Sequence, residues 1–493
     1  MIRAAFPFVR DVEGLCAQRF DLLVIGGGIY GAWAALDAAQ RGLSVALIEQ
    51  TDWGAGTSQA SSKLIHGGLR YLEHFKFGLV QHSLRERRVL SRIAPHLVRP
   101  LDFVLPVFES SRAGPFMLSC GLTLYDLMAG FSPPVRRHRF YRPARVQNDF
   151  GFLERTGLVG AFRYGDCQED DARMTLVVAA AAHGHGAVCA NGVRAIRLAS
   201  SATGTVTTVE ADGDCFEINA KTVLNAAGPW AMRLMGEAAT EVELIKGSHI
   251  VMPAIPGVTQ AFLLTAEDGR VFFVIPWYGR TLVGTTEQLI NRAEEAEPTE
   301  AEITYLLRAV AVAMPGLGWT RADVISAFAG TRTLQKADAA SLSAVSREFA
   351  VIEPQPNVWV SVGGKYTTAR CDAAGIVDQI AKRLGNTVAS QTHAQPLPGT
   401  PRLPFATWLG SARAQLIVAG VDAAAAHTCA LRHGTRVDAL VELLDVDRSL
   451  ARRVHADAPF IQAEVVMAQA DEMTRSDHDV LRRRLPLHLI VGG

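Results

Sequence analysis

The sequence predicts a chain of mixed α/β and antiparallel β structure that ends in a helical domain. Three observations support this fold class. A strand–glycine–helix–strand unit opens the chain, several β-rich runs occupy its middle, and helical segments follow a proline-rich stretch at residues 392–404. A βαβ start followed by such runs is typical of a nucleotide-binding domain with an inserted antiparallel sheet. At 493 residues the chain is also long enough for two or three domains.

The opening unit is visible in the apolar pattern. Asp21 to Ile25 is a short apolar run of the length expected for a buried parallel strand, and the alanine-rich stretch from Ala32 to Arg41 predicts a helix. A second strand, Ser44 to Ile48, ends at the acidic residue Glu49. The order and lengths predict one βαβ unit.

Gly26-x-Gly28-x-x-Gly31 lies between the first strand and the helix. The first glycine allows a tight turn, the second lets the backbone approach a pyrophosphate, and the third lets helix and strand pack closely. Glu49, about 20 residues further on, is placed to accept hydrogen bonds from ribose hydroxyls and to repel a 2′-phosphate. The motif predicts a dinucleotide site and disfavours NADP, but it does not by itself distinguish FAD from NAD.

Residues 57–73 (TSQASSKLIHGGLRYLE) resemble the flavin-and-substrate segment of the FAD-dependent, quinone-linked glycerol-3-phosphate dehydrogenases, within the glycine/D-amino-acid oxidase group of flavoproteins. Further matches follow in the family's order: DCQEDDAR (166–173), NAAGPW (225–230), KGSHIV (246–251), VFFVIPW (271–277), GTT (284–286), GTRTL (330–334) and SVGGKYTTAR (361–370). The run EVVMAQADEMTRSDHDVLRRR resembles the family's helical cap domain. The resemblance implies a Rossmann-like FAD-binding domain, an inserted antiparallel-sheet substrate domain and a C-terminal helical domain.

The domain boundaries expected from this resemblance alternate along the chain. The FAD-binding domain is expected at residues 18–95, 151–245 and 326–388, the substrate domain at 96–150 and 246–325, a linker at 389–404, and the helical domain at 405–493.

The resemblance also implies the cofactor and its contacts. FAD is expected to be noncovalent, because no cysteine or histidine stands in a recognisable flavinylation motif. The implied FAD-binding residues are Gly26, Gly28, Gly31, Glu49, Thr57, Ser58, Ser61, Gly228, Gly364 and Thr367. His66 is expected near the isoalloxazine, and Gly363 and Gly364 are expected to bring backbone N–H groups toward the flavin N1/O2 edge, where reduced flavin carries negative charge.

The implied reaction is hydride transfer from C2 of sn-glycerol 3-phosphate to flavin N5, which gives dihydroxyacetone phosphate. Arg70, Arg332 and Lys365 are expected to converge on the substrate phosphate, with Tyr71 beside them. The hydroxyl proton goes either to His66 as a general base or leaves with help from Arg332, which would stabilise an alkoxide.

Some positions depart from the family's usual residues. Tyr30 stands where bacterial relatives commonly have asparagine, Thr333 where a proline usually follows the arginine, and Tyr366 and Ala369 where leucine and tyrosine are common. Two alternatives therefore stay open: a flavin enzyme of the same fold acting on another small anionic hydroxy or amino acid, and a catalytically silent flavin-binding protein.

The electron acceptor and the location of the protein are weaker expectations. A quinone is expected as acceptor, with O2 as the alternative, and a homodimer is one open oligomeric state. Residues 136–145 (RRHRFYRPAR) hold five arginines and two aromatic residues, which favours contact with anionic lipid headgroups on the inner membrane face. The helix from Leu79 to Ile93, with Arg85, Arg87, Arg88 and Arg92 on its wetter side, would add cations.

Composition limits the other classes of function. Basic and acidic residues both number 49, so the net charge by itself says nothing about nucleic acid or membrane. No nucleic-acid partner is expected. The seven cysteines are scattered without a C-x-x-C spacing, which favours buried thiols in a reducing cytoplasm and gives no indication of a metal site. The chain start lacks the pattern of a signal peptide, and no apolar run is long enough for a spanning helix.

Overall fold

The computed structural model describes residues 4–72, 75–130, 134–236, 242–335 and 349–492. The strands are β1 (Phe20–Ile25), β2 (Val45–Glu49), β3 (Leu64–Ile65), β4 (Val98–Phe108), β5 (Arg139–Tyr141), β6 (Leu158–Glu169), β7 (Val188–Asn191), β8 (Val193–Ser201), β9 (Gly204–Ala211), β10 (Asp214–Asn225), β11 (Val242–Pro253), β12 (Ala261–Thr265), β13 (Val271–Trp277), β14 (Arg280–Gly284), β15 (Gln288–Ile290), β16 (Ser326–Gln335), β17 (Ala350–Gln355) and β18 (Val358–Val362). The helices are α1 (Val12–Ala17), α2 (Ile29–Gln40), α3 (Phe77–Ile93), α4 (Pro115–Ala129), α5 (Pro143–Asp149), α6 (Asp171–Gly184), α7 (Glu300–Ala313), α8 (Ala369–Arg383), α9 (Phe405–Val418), α10 (Ala423–His433), α11 (Val437–Val446), α12 (Gln462–Asp471), α13 (Asp477–Asp479) and α14 (Leu487–Ile490).

The first sheet has the order β17-β18-β10-β1-β2-β7, and β9 and β8 extend it beside β10. Its centre is parallel: β1 pairs with both β2 and β10, and β10 pairs with β18. The apolar faces of α2, α6 and α8 meet in one core against this sheet. The parallel centre with covering helices confirms the predicted Rossmann-like domain.

Helix α2 begins earlier than the alanine pattern predicts. It starts at Ile29 because Gly28 is its N-cap and the Ser58 hydroxyl accepts a hydrogen bond from the Ile29 N–H at 2.9 Å. Its end agrees with the prediction, since Arg41 is the C-cap and Gly42 follows with a φ of 81°.

The second sheet is the predicted antiparallel one. Its order is β15-β11-β14-β13-β12-β4-β6-β3, with β16 paired to β11 and β5 paired to β6. Almost all of its pairings are antiparallel; β12 with β4 is parallel. Strands β11, β13, β14 and β16 belong to the β-rich middle of the chain that the sequence predicts. This sheet and the first sheet supply opposite walls of one cavity.

The C-terminal helices α9 to α12 enclose their own core and are joined to the FAD-binding domain by buried ion pairs. Arg483 and Arg484 are buried in a π-helical turn, and both bind Asp52 at 2.6 Å. Burial would raise the pKa of Asp52, but Arg484 and Arg483 lower it below its usual value. Ser476 and Asp479 form a capping box at the start of α13.

The structure corrects the expected position of Arg87 and shows the local structure of the basic segment. Arg87 does not lie on the wet side of α3: it is 1% exposed and its guanidinium pairs with Asp166, which supplies the charge that makes burial tolerable. The basic segment 136–145 contains β5 and the start of α5. The Arg145 guanidinium lies 4.0 Å from the ring centroid of Tyr141, which holds this turn together.

Within the described ranges, every helix is too short or too polar to cross a bilayer. All seven cysteines belong to those ranges and each is a free thiol.

Candidate active site

One cavity of about 1220 Å³ runs between the two sheets. Its walls contain most of the residues predicted from the sequence: Gly26, Gly28, Glu49, Thr57, Ser58, Ser61, His66, Tyr71, Gly228, Arg332, Gly364, Lys365 and Thr367. Gly31 lies beneath the wall. The side chain of Arg70 lies outside the described part of the chain, so its place at the substrate remains a prediction. The cavity is larger than a typical site for a single small ligand, as a dinucleotide together with a substrate requires.

The glycine loop at one end has the geometry that a pyrophosphate needs. Gly26 has a φ of 111°, and a Cβ there would lie 2.6 Å from the carbonyl oxygen of Ala226. A Cβ at Gly31 would overlap the carbonyl oxygen of Gly26. The N-terminus of α2 therefore opens directly onto the cavity with no side chain at Gly28 in the way.

Glu49 occupies the end of β2, as predicted. Its Oε2 accepts a hydrogen bond from the Gly27 N–H at 2.7 Å, and its Oε1 accepts one from the Thr51 N–H at 2.9 Å. Burial raises the pKa of this carboxyl, while these two backbone N–H groups oppose the increase. The carboxylate is fixed at the cavity wall, where its remaining lone pairs can accept hydrogen bonds from ribose hydroxyls.

The hydroxyl groups expected near the FAD phosphates and flavin already have protein partners. Thr57 Oγ1 donates to the carbonyl of Thr331 at 2.6 Å, and Ser61 Oγ donates to Asp171 at 2.7 Å. Only Ser58, which accepts from the N-terminus of α2, retains a proton to donate toward the pyrophosphate. The direct contacts expected for Thr57 and Ser61 therefore remain predictions.

The segment His66–Gly67–Gly68 is held from below by a buried polar cluster. The Gly67 N–H donates to the Tyr125 hydroxyl at 2.9 Å and to Asp166 at 3.2 Å. Tyr125 donates to the same carboxylate at 2.8 Å. The cluster fixes the peptide that follows His66, whose ring lines the cavity with its centroid 6.3 Å from that of Phe273.

Lys365 and Tyr71 come together as predicted. The Lys365 ammonium lies 3.8 Å from the centroid of the Tyr71 ring, a close cation–π contact at the cavity wall. Gly363 and Gly364 precede it with φ values of 74° and 96°, and a short 3₁₀ turn over 366–368 leads into α8. The turn made by the two glycines thus places its own backbone and the Lys365 side chain at the wall of the same cavity.

Tyr30, a departure from the family's pattern, fastens this glycine turn. Its hydroxyl accepts a hydrogen bond from the Lys365 N–H at 3.0 Å and donates to Asp372 at 2.7 Å. The hydroxyl sits where a Cβ at Gly364 would be, so the tyrosine and the glycine fit only together. The large ring is therefore accommodated without closing the cavity.

Arg332 projects from β16 into the other side of the cavity. Its Nη1 lies 3.6 Å from Glu287 and its Nη2 lies 3.5 Å from the Thr285 hydroxyl. The sequence interpretation missed Glu287, although it directly follows the quoted GTT segment. Arg332 therefore brings a guanidinium to the cavity wall opposite the glycine loop.

A second histidine of the cavity was also missed. His249, within the quoted KGSHIV segment, stacks on Phe328 at 5.0 Å and shares a 2.9 Å hydrogen bond with Ser62. Burial, with Lys63 and Arg332 nearby, lowers the pKa of His249 to about 3. This imidazole is therefore neutral at physiological pH.

Comparison with known proteins agrees with the geometry. The family of FAD dependent oxidoreductases matches residues 21–369, and the C-terminal domain of alpha-glycerophosphate oxidase matches residues 390–492. The glycine loop, the fixed acid after β2 and this match place the chain in the FAD-dependent oxidoreductase family, and its cofactor is FAD.

Similar proteins of known family define a narrower group. A glycerol-3-phosphate dehydrogenase of Synechocystis sp. is 33% identical and aligns with 98% of this chain and 92% of its own length. One from Pseudomonas aeruginosa is 34% identical over 97% and 93% of the two chains. The FAD-complexed crystal structure of the Bacillus halodurans glycerol-3-phosphate dehydrogenase superposes with a TM-score of 0.79 at 26% identity, covering 98% of this chain and 88% of that one. The chain belongs to the family of FAD-dependent glycerol-3-phosphate dehydrogenases.

Proposed function

We propose that this protein oxidises sn-glycerol 3-phosphate to dihydroxyacetone phosphate. The observation that carries the proposal is the position of Lys365 and Arg332 in the same cavity as the FAD-binding glycine loop. The names of the relatives agree with this substrate. FAD, when bound at the glycine loop, would supply the two-electron acceptor for the hydride that leaves C2 of the substrate.

The cations suit a phosphate monoester better than a neutral polyol. Lys365 presents a point charge held over Tyr71, and Arg332 presents a planar fork that matches two phosphate oxygens. Glu287 partly neutralises Arg332, so the substrate end needs the second cation to bind a dianion. Arg70, as predicted from the sequence, would add a third.

His66 is the better of the two histidines for removing the hydroxyl proton. A general base works best when its pKa lies near the operating pH, and the pKa of about 3 makes His249 a weak one. His66 instead lines the cavity, and the peptide that follows it is held by the hydrogen bond from the Gly67 N–H to Tyr125. Arg332 would assist by stabilising the developing alkoxide.

The test is an anaerobic titration of the purified, FAD-containing protein with glycerol 3-phosphate, with glycerol as the neutral comparison. Loss of the oxidised-flavin absorbance with the phosphate ester alone is the expected result. Lys365→Ala should raise the apparent Kd by about tenfold or more, the cost of one charge-assisted contact. Lys382→Ala, an exposed lysine at the other end of α8, should leave it unchanged. If a hydroxy acid or an amino acid reduces the flavin and glycerol 3-phosphate does not, the proposed substrate is wrong and the enzyme acts on that other class of substrate.

We further propose that the electrons pass to a quinone at a membrane surface. Helix α4 supports this because it exposes a row of large apolar side chains, including Phe116 (84% exposed) and Leu127 (68%). Phe75 and Phe77 are also exposed, next to Lys76 and Leu79 in the cavity wall. An apolar acceptor would therefore have a route from this face to the cavity.

The predicted basic segment adjoins the same face. His138 binds Asp126 of α4 through its Nδ1 at 2.7 Å and its backbone N–H at 3.0 Å. Arg136, two residues earlier, has a side chain that is 77% exposed. Apolar side chains flanked by arginines are typical of a surface that lies on an anionic bilayer.

Vesicle sedimentation tests this surface. The protein should co-sediment with phosphatidylglycerol-containing vesicles and less with pure phosphatidylcholine, and Phe116→Ser with Leu127→Ser should reduce binding. Val446→Ser, an equally exposed apolar position in the helical domain (89%), is the matched control. Equal binding by the double variant would contradict the assignment of α4. Anaerobic reduction of a water-soluble quinone, compared with hydrogen peroxide formation in air, distinguishes a dehydrogenase from an oxidase.

A further inference from the structure

A cluster of three different metal-binding side chains lies outside the cavity, between α3 and α8. His82, Cys371 and Asp372 each offer one donor atom, and the three atoms all lie within 4.8 Å of one another. The His82 Nε2 is 2.7 Å from the Cys371 sulfur. No local sequence pattern indicates this cluster, because His82 and Cys371 are 289 positions apart in the chain.

We propose that His82, Cys371 and Asp372 form a binding site for Zn²⁺. Imidazole nitrogen, thiolate sulfur and carboxylate oxygen are all common zinc ligands, and a three-ligand protein site leaves the fourth tetrahedral position to water. The mixture is wrong for Mg²⁺ or Ca²⁺, which prefer oxygen ligands. His82 is exposed and the other two are half-buried, so an ion reaches the cluster from solvent.

The surroundings orient the ligands before any ion binds. Asp372 Oδ2 accepts hydrogen bonds from the Tyr30 and Thr368 hydroxyls, both at 2.7 Å, so its carboxylate has a fixed direction. The Cys371 sulfur is 3.0 Å from the carbonyl of Thr368 and is placed by the first turn of α8. Hydrogen-bonded partners behind the ligands are the usual feature of built metal sites. Only His82, on the solvent side of α3, has to turn for the nitrogen–sulfur pair to open around a metal.

The position of the cluster ties it to the substrate end of the cavity. Asp372 shares the Tyr30 hydroxyl with the backbone N–H of Lys365. A bound ion is therefore connected to the Lys365 turn by two consecutive hydrogen bonds. The proposal itself does not depend on which substrate the enzyme oxidises.

Equilibrium dialysis of the chelator-treated, FAD-containing protein against ZnCl₂ tests the site. One zinc ion per chain is expected, and His82→Gln and Cys371→Ser should each weaken binding by at least about tenfold. Cys120→Ser, which removes an exposed thiol on α4, should bind as the unmodified protein does. Absence of stoichiometric zinc, or equal binding by both ligand variants, would overturn the proposal.

Two measurements on the unmodified protein remain decisive should a variant fail to fold. Co²⁺ in place of zinc should give a thiolate-to-cobalt charge-transfer band in the difference spectrum. Zinc should also protect Cys371 from alkylation by iodoacetamide, followed by peptide mass spectrometry, while Cys120 stays reactive. A cobalt spectrum without the thiolate band, or unchanged alkylation of Cys371, would exclude the cysteine as a ligand.

Discussion

Replacement of Glu472 by glutamine tests whether buried charge joins the C-terminal helices to the FAD-binding domain. Glu472 is 0% exposed, and its carboxylate binds Arg173 at 2.7 Å and Arg436 at 2.5 Å, with Arg484 at 3.8 Å. Burial alone would raise the pKa of this carboxyl. The three guanidinium groups reverse the effect and lower the pKa from 4.5 to about 2.

The size of the effect follows from the pKa. A carboxyl whose pKa falls from 4.5 to about 2 on folding contributes about 3 kcal/mol to the free energy of unfolding when it is ionised in both states. Glutamine would also remove the negative charge that balances the buried guanidinium groups. Loss of one partner of a buried ion pair typically lowers the free energy of unfolding by about 3–5 kcal/mol. We therefore expect Glu472→Gln to lower the unfolding free energy by about 3 kcal/mol at neutral pH.

The pH dependence gives the prediction a definite sign. Because the folded-state pKa is lowered, the contribution of Glu472 is complete above pH 4.5 and is lost as the pH falls toward 2. The difference between the two proteins should therefore be constant from neutral pH down to about 4.5 and should narrow below it.

Urea denaturation followed by circular dichroism and flavin fluorescence, repeated across this pH range, measures the difference. Glu300→Gln is the matched control, since Glu300 pairs with Arg321 at 2.7 Å on the exposed surface and should give no measurable change. A loss below about 1 kcal/mol for Glu472→Gln at neutral pH, or a loss that does not diminish in acid, would refute the reasoning.

Three shorter predictions concern the cavity. Gly31→Ala should yield protein with little bound flavin, because its methyl group overlaps the Gly26 carbonyl, whereas Gly78→Ala, with open space around it, should retain full flavin occupancy by absorbance. Tyr30→Phe removes the hydroxyl that receives the Lys365 N–H, so KM for glycerol 3-phosphate should rise by about tenfold with flavin content unchanged. His66→Asn should lower kcat by about 10²-fold or more and leave the anaerobic substrate Kd nearly constant; a larger change in Kd than in kcat would contradict its role as base.

The cofactor end of the cavity was predictable because its determinants are close together in sequence. The turn at Gly26, the packing at Gly31 and the acid at Glu49 all belong to one βαβ unit, so their spacing alone reports the geometry. The resemblance then extended the prediction to Lys365 and Tyr71, which the structure brings into contact.

Features that depend on distant partners were not predictable in the same way. The helical period of α3 gives no reason to bury Arg87; its partner Asp166 lies 79 positions further along. Asp52 and Arg484, which form an ion pair, are 432 positions apart in the chain. Without knowledge of that partner, a run of arginines at a helix end is expected to be exposed to solvent. A charged side chain is buried only where an oppositely charged group pairs with it. A local sequence pattern does not show which distant residue that partner is.

Tyr30 shows how a departure from a family's pattern becomes intelligible through its neighbours. Inside the glycine motif, a ring of this size would be expected to narrow the wall near the flavin. Instead, the hydroxyl fills the space left by Gly364 and joins the Lys365 N–H to Asp372. In this chain the tyrosine thus fixes the glycine turn through its hydroxyl. The cation next to that turn keeps its place over Tyr71, which is why a changed motif is compatible with the proposed phosphate substrate.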